Sequence, residues 1–179
     1  MPEFIDAHGI SIVYDVHPAT TPRAAVQLMH GVGEHAGRYG ALIGALTADG
    51  YTVYADDHRG HGRTGMAQYN GDADKLGRPG PGGLRAAVRA LWQFTELIRA
   101  ENPGLPLVLL GHSGGSVIAQ MLINEHPEAY DAFVLSGSAL RVPGSMRPGG
   151  LNAKWKAEGA MGTEWLSSDL EVPNPFVRR

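Results

Sequence analysis

The residues with the clearest chemical potential are Gly111-His112-Ser113-Gly114-Gly115, a Gly-x-Ser-x-Gly pattern with a hydroxyl at its centre. A serine hydroxyl becomes a useful nucleophile when the fold exposes it, a base takes its proton and donors hold the charge that forms on its target. The flanks suit exposure. Leu107-Val-Leu-Leu110 is an unbroken apolar run, and Val117, Ile118, Met121 and Leu122 recur at helical spacing behind the glycines. A buried strand turning sharply into a helix forms a nucleophile elbow with Ser113 at its apex. Glycines at 111 and 115 let the helix cross close over the strand. The helix start turns free N–H groups and its positive dipole end toward negative charge forming beside Ser113.

Two further stretches carry polar groups at strand ends. His30-Gly31-Val32-Gly33-Glu34-His35-Ala36-Gly37-Arg38-Tyr39 follows the apolar run Ala24-Ala-Val-Gln-Leu-Met29. Its glycines free the backbone to aim N–H groups at a neighbour, and in a doubly wound sheet the 24–29 strand lies beside that of the elbow. Asp57-His58-Arg59-Gly60-His61-Gly62 follows the run Tyr51-Thr-Val-Tyr-Ala55. His58-x-x-His61 resembles half of a metal site, but no third ligand stands at suitable spacing, so a structural loop is expected and no metal.

Elements to position these stretches can be read along the chain. Residues 4–7 and 10–17 form an opening antiparallel hairpin with a turn at His8-Gly9. Strands follow at 24–29, 51–55, 107–110 and 132–136. Helices begin at Arg38, with Tyr39, Leu42, Ile43 and Leu46 on one face, and cover about residues 84–98 and 114–125. A polar, glycine-rich loop runs from Asp56 to about Gly82. The spacing suits right-handed crossovers in a doubly wound, mostly parallel α/β sheet. Beyond Gly137 the pattern dissolves, which divides the chain into a core at 1–138 and an insertion at 139–179 containing Trp155, Met161 and Trp165.

Composition narrows the function classes. The chain has 179 residues, 43% of them hydrophobic, enough for one domain with a real core. Its net charge of −3 and lack of a basic run argue against nucleic-acid binding. It has no cysteine, hence no disulfide, thiol catalysis or thiolate metal site. Met1 to Asp6 lack signal-peptide features and no apolar run approaches spanning length, so a cytoplasmic location without stable membrane insertion is expected. No Gly-x-Gly-x-x-Gly follows the first parallel strand, which argues against a dinucleotide cofactor.

Together, His30-Gly-Val-Gly-Glu-His35 with Arg38-Tyr39, Asp57-His58-Arg59-Gly60-His61-Gly62 and Gly111-His112-Ser113-x-Gly115 resemble the monoacylglycerol lipase and lysophospholipase-like branch of the α/β-hydrolase superfamily. The resemblance covers most of residues 10 to 140. It implies an α/β-hydrolase fold, Ser113 as nucleophile, and the backbone N–H groups of Val32 and Gly114 as the oxyanion hole, each donor contributing about 10²- to 10³-fold in rate. It further implies a small-molecule ester substrate with an apolar acyl chain, an acyl-enzyme intermediate and no cofactor. Residues after about 138 correspond to the start of a lid, with Trp155, Met161 and Trp165 on an apolar face. Position 114 commonly carries Met in this family, and glycine here keeps the backbone donor.

The triad in this fold runs Ser, then Asp or Glu, then His. His126 is the last histidine of the sequence and stands about 20 Å from Ser113 by helical rise. Asp131, Glu158, Glu164, Asp169 and Glu171 therefore have no later histidine to orient. His30, His35, His58, His61 and His112 read as loop scaffolding, with Asp57 and Arg59 bracing the same loops. The chain is thus expected to be the N-terminal part of an enzyme, ending before the last strands of its sheet. The 132–136 strand would lack a neighbour, and an unpaired apolar edge invites a homo-oligomer or a complementing C-terminal segment. Two other readings stay open on the residues alone: a non-catalytic subunit or pseudoenzyme, and a thioesterase or acyltransferase built on the same elbow.

Overall fold

The computed structural model describes residues 1–138. The lid expected at 139–179, with Trp155, Met161 and Trp165, lies outside the described residues. Within them the strands β1 (Glu3–Ile5), β2 (Ser11–His17), β3 (Ala24–Met29), β4 (Tyr51–Asp56), β5 (Leu107–His112) and β6 (Ala132–Ser136) form one sheet in the order β1-β2-β4-β3-β5-β6. The opening hairpin is antiparallel, as is its pairing to β4. From β4 across β3 and β5 to β6 every pairing is parallel. The α/β reading and its hairpin hold, and β3 lies directly beside β5 with Met29 opposite Gly111.

Helices α1 (Gly40–Ala48), α2 (Gly62–Gln68), α3 (Gly83–Glu101) and α4 (Gly114–Glu125) accompany the sheet. On one face α3 and α4 bury Val88, Leu91, Phe94, Ile98, Ile118 and Leu122 against Leu107 and Leu109. That core extends to the hairpin, where the Phe94 ring stands 4.9 Å from Tyr14 and 5.7 Å from Phe4. On the other face Ile43 of α1 packs with Val26, Leu28, Val53 and Ala55. Burying the larger of these side chains contributes about 1.5–3 kcal/mol each, which anchors β3 and β5 as a rigid base for the loops at their ends. One polar side chain crosses this core. Gln27 of β3 donates to Leu91 O at 3.2 Å and accepts from the Thr95 hydroxyl at 2.7 Å, so its amide is satisfied despite full burial.

Two local expectations are corrected. The helix expected from Arg38 opens as a 3-10 turn, Ala36–Tyr39, before α1, and Leu42 remains 38% exposed, leaving Ile43 as the buried anchor. The loop expected from Asp56 to Gly82 contains α2, whose sequence Gly-Arg-Thr-Gly-Met-Ala-Gln has no apolar period to reveal it. One local and one long-range hydrogen bond hold that helix. The Asp57 carboxylate accepts Arg63 N at 2.9 Å at its start, and the Thr64 hydroxyl accepts Val13 N at 2.9 Å.

β6 closes the sheet among the described residues. Its outer flank carries no strand there, and Phe133 and Val134 are 56% and 49% exposed on opposite faces.

Candidate active site

The turn from β5 into α4 places Ser113 at φ 49°, ψ −115°. Only it and Asn70 have positive φ among the described non-glycine residues. Such a conformation costs about 1–3 kcal/mol and persists where surrounding contacts over-determine it. Those contacts are present. Ser113 N donates to Ser136 O at the end of β6 (2.8 Å), while Ser113 O accepts the Ser116 hydroxyl (2.6 Å) and Val117 N (3.3 Å). The side chain is half-buried, as a reachable nucleophile requires.

The glycines flanking the serine answer to space. A Cβ on Gly111 would stand 2.8 Å from Ser116 Cα. One on Gly115 would press into the carbonyl oxygens of Met29 and His30 at the end of β3. The elbow is thus wedged between its own helix and the neighbouring strand.

The loop after β3 meets this elbow. A Cβ on Gly31 would come 3.1 Å from Ser113 Cβ, and one on Gly114 would come 2.9 Å from Val32 N. Ser113, Val32 and Gly114, singled out from sequence, therefore converge. The loop is held by a residue whose part the sequence reading missed. Buried Glu34 accepts Gly31 N and the Tyr39 hydroxyl (2.6 Å) on Oε1, and Arg38 Nη1 (2.9 Å) on Oε2. The Glu34 to Arg38 spacing of four was the available signal. Burial, with the Glu34 carboxylate beside it, raises the Tyr39 hydroxyl pKa, so the phenol stays a donor.

The upstream histidines and their neighbours form the scaffold beneath. The His30 and His58 rings stack at 3.8 Å, His58 N donates to His30 Nε2 (3.0 Å), and His58 Nε2 lies 3.2 Å from His30 O. His58 Nδ1 pairs with buried Asp56 at 2.7 Å. Burial disfavours a charge on His58, but the Asp56 carboxylate outweighs it and the pKa is raised. Burial holds His30 well below its ordinary value, with the charges of His58 and His61 acting the same way. His61 falls to about 4, chiefly through burial. Asp57 braces Ala36 N (2.9 Å) and the Arg63 side chain (2.7 Å), and Arg59 is buried 3.1 Å from Asp6. His35 caps the 3-10 turn, and His112 Nδ1 lies 3.2 Å from the Ser136 hydroxyl. His126 stacks on Trp92 at 3.6 Å, at the far end of α4 from the serine.

Among the described residues no group of three His, Asp or Glu side chains is arranged to hold a metal ion, and no helix is long and apolar enough to cross a membrane. What the arrangement offers is a serine in a left-handed backbone conformation, half-buried at the elbow, beside a glycine loop braced by Glu34.

A parallel sheet carrying a nucleophile elbow, with a glycine loop from the adjacent strand, defines an α/β-hydrolase fold. The chain belongs to the family described as "Serine aminopeptidase, S33", whose model matches residues 20–174. It is 39% identical over 153 residues to a protein named monoacylglycerol lipase from Mycolicibacterium smegmatis, covering 81% of this chain and 49% of that one. It is 36% identical over 119 residues to monoglyceride lipase of Homo sapiens, covering 66% of this chain and 36% of that one. Among solved structures, a thermostable carboxyl esterase from Bacillus coagulans in complex with glycerol superposes with TM-score 0.71 at 30% identity, over 79% of this chain and 45% of that one. A monoacylglycerol lipase from Paleococcus ferrophilus gives TM-score 0.57 at 28% identity, over 76% and 47%. The chain thus spans half or less of the length of these relatives.

Proposed function

We propose that the chain carries the nucleophile and oxyanion half of a serine-dependent carboxylic ester hydrolase acting on acylglycerol- or lysophospholipid-like esters. The observation that carries this reading is the convergence of a positive-φ Ser113 with the Val32 amide and Gly114. The names of the relatives, lipases and an esterase, support the substrate class.

In this mechanism Ser113 Oγ attacks the ester carbonyl while its proton passes to a base. The carbonyl oxygen becomes an oxyanion held by the Val32 and Gly114 N–H groups. Collapse expels the alcohol, which takes up that proton and leaves an acyl-serine. Water then adds by the same route and releases the acid. His126 is turned away against Trp92 and does not serve as that base; where no other base reaches Ser113 the proton passes to water, so one slow acylation per chain rather than sustained turnover is expected. Within this reading the open flank of β6 is where a complementing segment or a second copy pairs, supported by exposed Phe133 and Val134.

The family description names a peptidase and the relatives name lipases, so the test compares both chemistries. The protein is mixed with p-nitrophenyl butyrate and with an aminoacyl p-nitroanilide. The ester is expected to release p-nitrophenol in proportion to protein and leave an acyl group on Ser113 by peptide mass, with Ser113→Ala silent. Reaction with the anilide alone would overturn the ester assignment. Transfer of the acyl group to an added thiol or alcohol in preference to water would favour an acyltransferase, and an unmodified Ser113 in folded protein a non-catalytic subunit.

A further inference from the structure

The buried His58 ring has both of its nitrogens facing acceptors. Nδ1 lies 2.7 Å from Asp56 Oδ2, and Nε2 lies 3.2 Å from His30 O. A backbone carbonyl only accepts, and so does an ionised carboxylate. A neutral imidazole has a single N–H to give, so one of these contacts would set two acceptors together with no proton between them. With both nitrogens protonated, both contacts are hydrogen bonds. The carboxylate needs that charge in return. Asp56 is fully buried, and its Oδ1 has no hydrogen-bond partner among the described residues. The arginines of the same loop are engaged elsewhere, Arg59 with Asp6 and Arg63 with Asp15 and Asp57. A buried carboxylate left without a partner is costly, and His58 is the partner at hand.

The other titratable groups facing this ring are Asp57, which favours the charge, His30 at the end of β3 and His61 ahead of α2. His30 accepts His58 N on Nε2 and points Nδ1 at Gly31 O (2.8 Å), the pattern of a neutral ring. Burial lowers the His61 pKa, so neither brings a competing charge at neutral pH. The bond to His30 O acts where β3 becomes the loop beside the serine. His30 O and Gly31 N belong to one peptide unit. His58 holds its oxygen, Glu34 Oε1 accepts from its nitrogen, and a Cβ on Gly31 would come 3.1 Å from Ser113 Cβ.

We propose that Asp56 is a positioning residue: it keeps His58 a buried imidazolium, whose second N–H clamps the His30–Gly31 peptide against which Ser113 sits. The proposal rests on the ester-hydrolase reading and deepens it, adding a buried ion pair to the support of the site. The first test is nitrogen NMR of the native chain at neutral pH. Two ring N–H groups are expected on His58. In Asp56→Asn one is expected, on Nε2, because the asparagine amide donates to Nδ1. A native His58 with an unprotonated Nδ1 would overturn the proposal.

The second test removes the clamp. Asp56→Leu/His58→Leu takes away both partners without stranding a charge. Exchange of the Gly31 amide should quicken at least about tenfold, and phosphonylation of Ser113 by an alkyl fluorophosphonate should slow by a similar factor. In that reaction the serine oxygen forms the P–O bond, fluoride leaves and the hydroxyl proton passes to solvent. Asp56→Asn, which keeps Nε2–H on His30 O, should recover most of both losses. Native exchange or native labelling in the folded leucine pair, or no recovery with asparagine, would overturn the proposal. Should the leucine pair not fold, Asp56→Asn/His58→Phe keeps the ring stack on His30, lacks both donors and carries the same comparison. An unreactive Ser113 in native protein, with Gly31 loosened in the variant, refutes the enzymatic reading and leaves the clamp standing.

Discussion

Replacing Gly115 with alanine tests how tightly the elbow is wedged. The added Cβ would meet Met29 O, and would lie 2.5 Å from His30 O, where ordinary contact begins near 3.4 Å. Neither carbonyl is free to retreat. Met29 stands in register with Gly111 across the β3–β5 ladder, and His30 O lies 3.2 Å from the His58 ring nitrogen. The start of α4 must lift by nearly 1 Å instead, and overpacking against rigid partners costs about 3 kcal/mol, the upper end of its usual range. Alanine returns up to about 1 kcal/mol of helix propensity, which leaves a net loss of about 2 kcal/mol. For a domain of this size that lowers the thermal midpoint by about 4–8 °C. Gly44 supplies the internal control. It lies inside α1 with nothing within 4 Å of its ideal Cβ, so alanine there should stabilise by about 0.5–1 kcal/mol. The assay is thermal unfolding by circular dichroism of both variants beside the native chain. A Gly115→Ala midpoint equal to native, or equal to that of Gly44→Ala, would refute the wedge.

The buried histidines predict a dome in stability against pH. His61, near 4 folded and about 6.5 unfolded, takes up its proton first in the unfolded chain, so stability falls as pH drops from about 6.5 toward 4, by about 3 kcal/mol for this group. His30, also lowered, acts with the same sign. His58, raised, contributes stability that is present below about 6.5 and lost as pH rises through its folded value. Urea midpoints on both sides of neutrality should show the maximum between, and His61→Gln should flatten the acid limb; an unchanged acid limb would contradict the assignment. Glu34→Gln, which breaks the triple bonding to Gly31, Arg38 and Tyr39, should cost about 1–3 kcal/mol and slow Ser113 labelling, and a variant of native stability would argue against the brace. If the flank of β6 is a pairing edge, sedimentation should show concentration-dependent association that Val134→Lys weakens, whereas association indifferent to that change places the contact elsewhere.

Much of this organisation was legible because local pattern and tertiary role agree. The 24–29 and 107–110 runs have no polar alternation, and both became interior parallel strands. Leu91, Phe94 and Ile98 mark α3 by their spacing alone. The convergence of Ser113, Val32 and Gly114 followed from the adjacency that a doubly wound sheet imposes on its strand ends. Helix α2 was not legible, since the Asp57 carboxylate at its start and the bond from distant Val13 to Thr64 hold it while its glycines argue for a loop. For Glu34 the spacing to Arg38 hinted at an ion pair but not at its other bonds. Nothing in the order of residues reveals that its carboxylate turns back to grip Gly31.

The most direct test is intact-mass analysis of the folded chain after exposure to an alkyl fluorophosphonate, with Ser113→Ala in parallel. The account predicts a single phosphonyl adduct, mapped to Ser113 and absent from the alanine variant. A folded protein that takes no adduct, or one whose adduct survives the loss of Ser113, would contradict it.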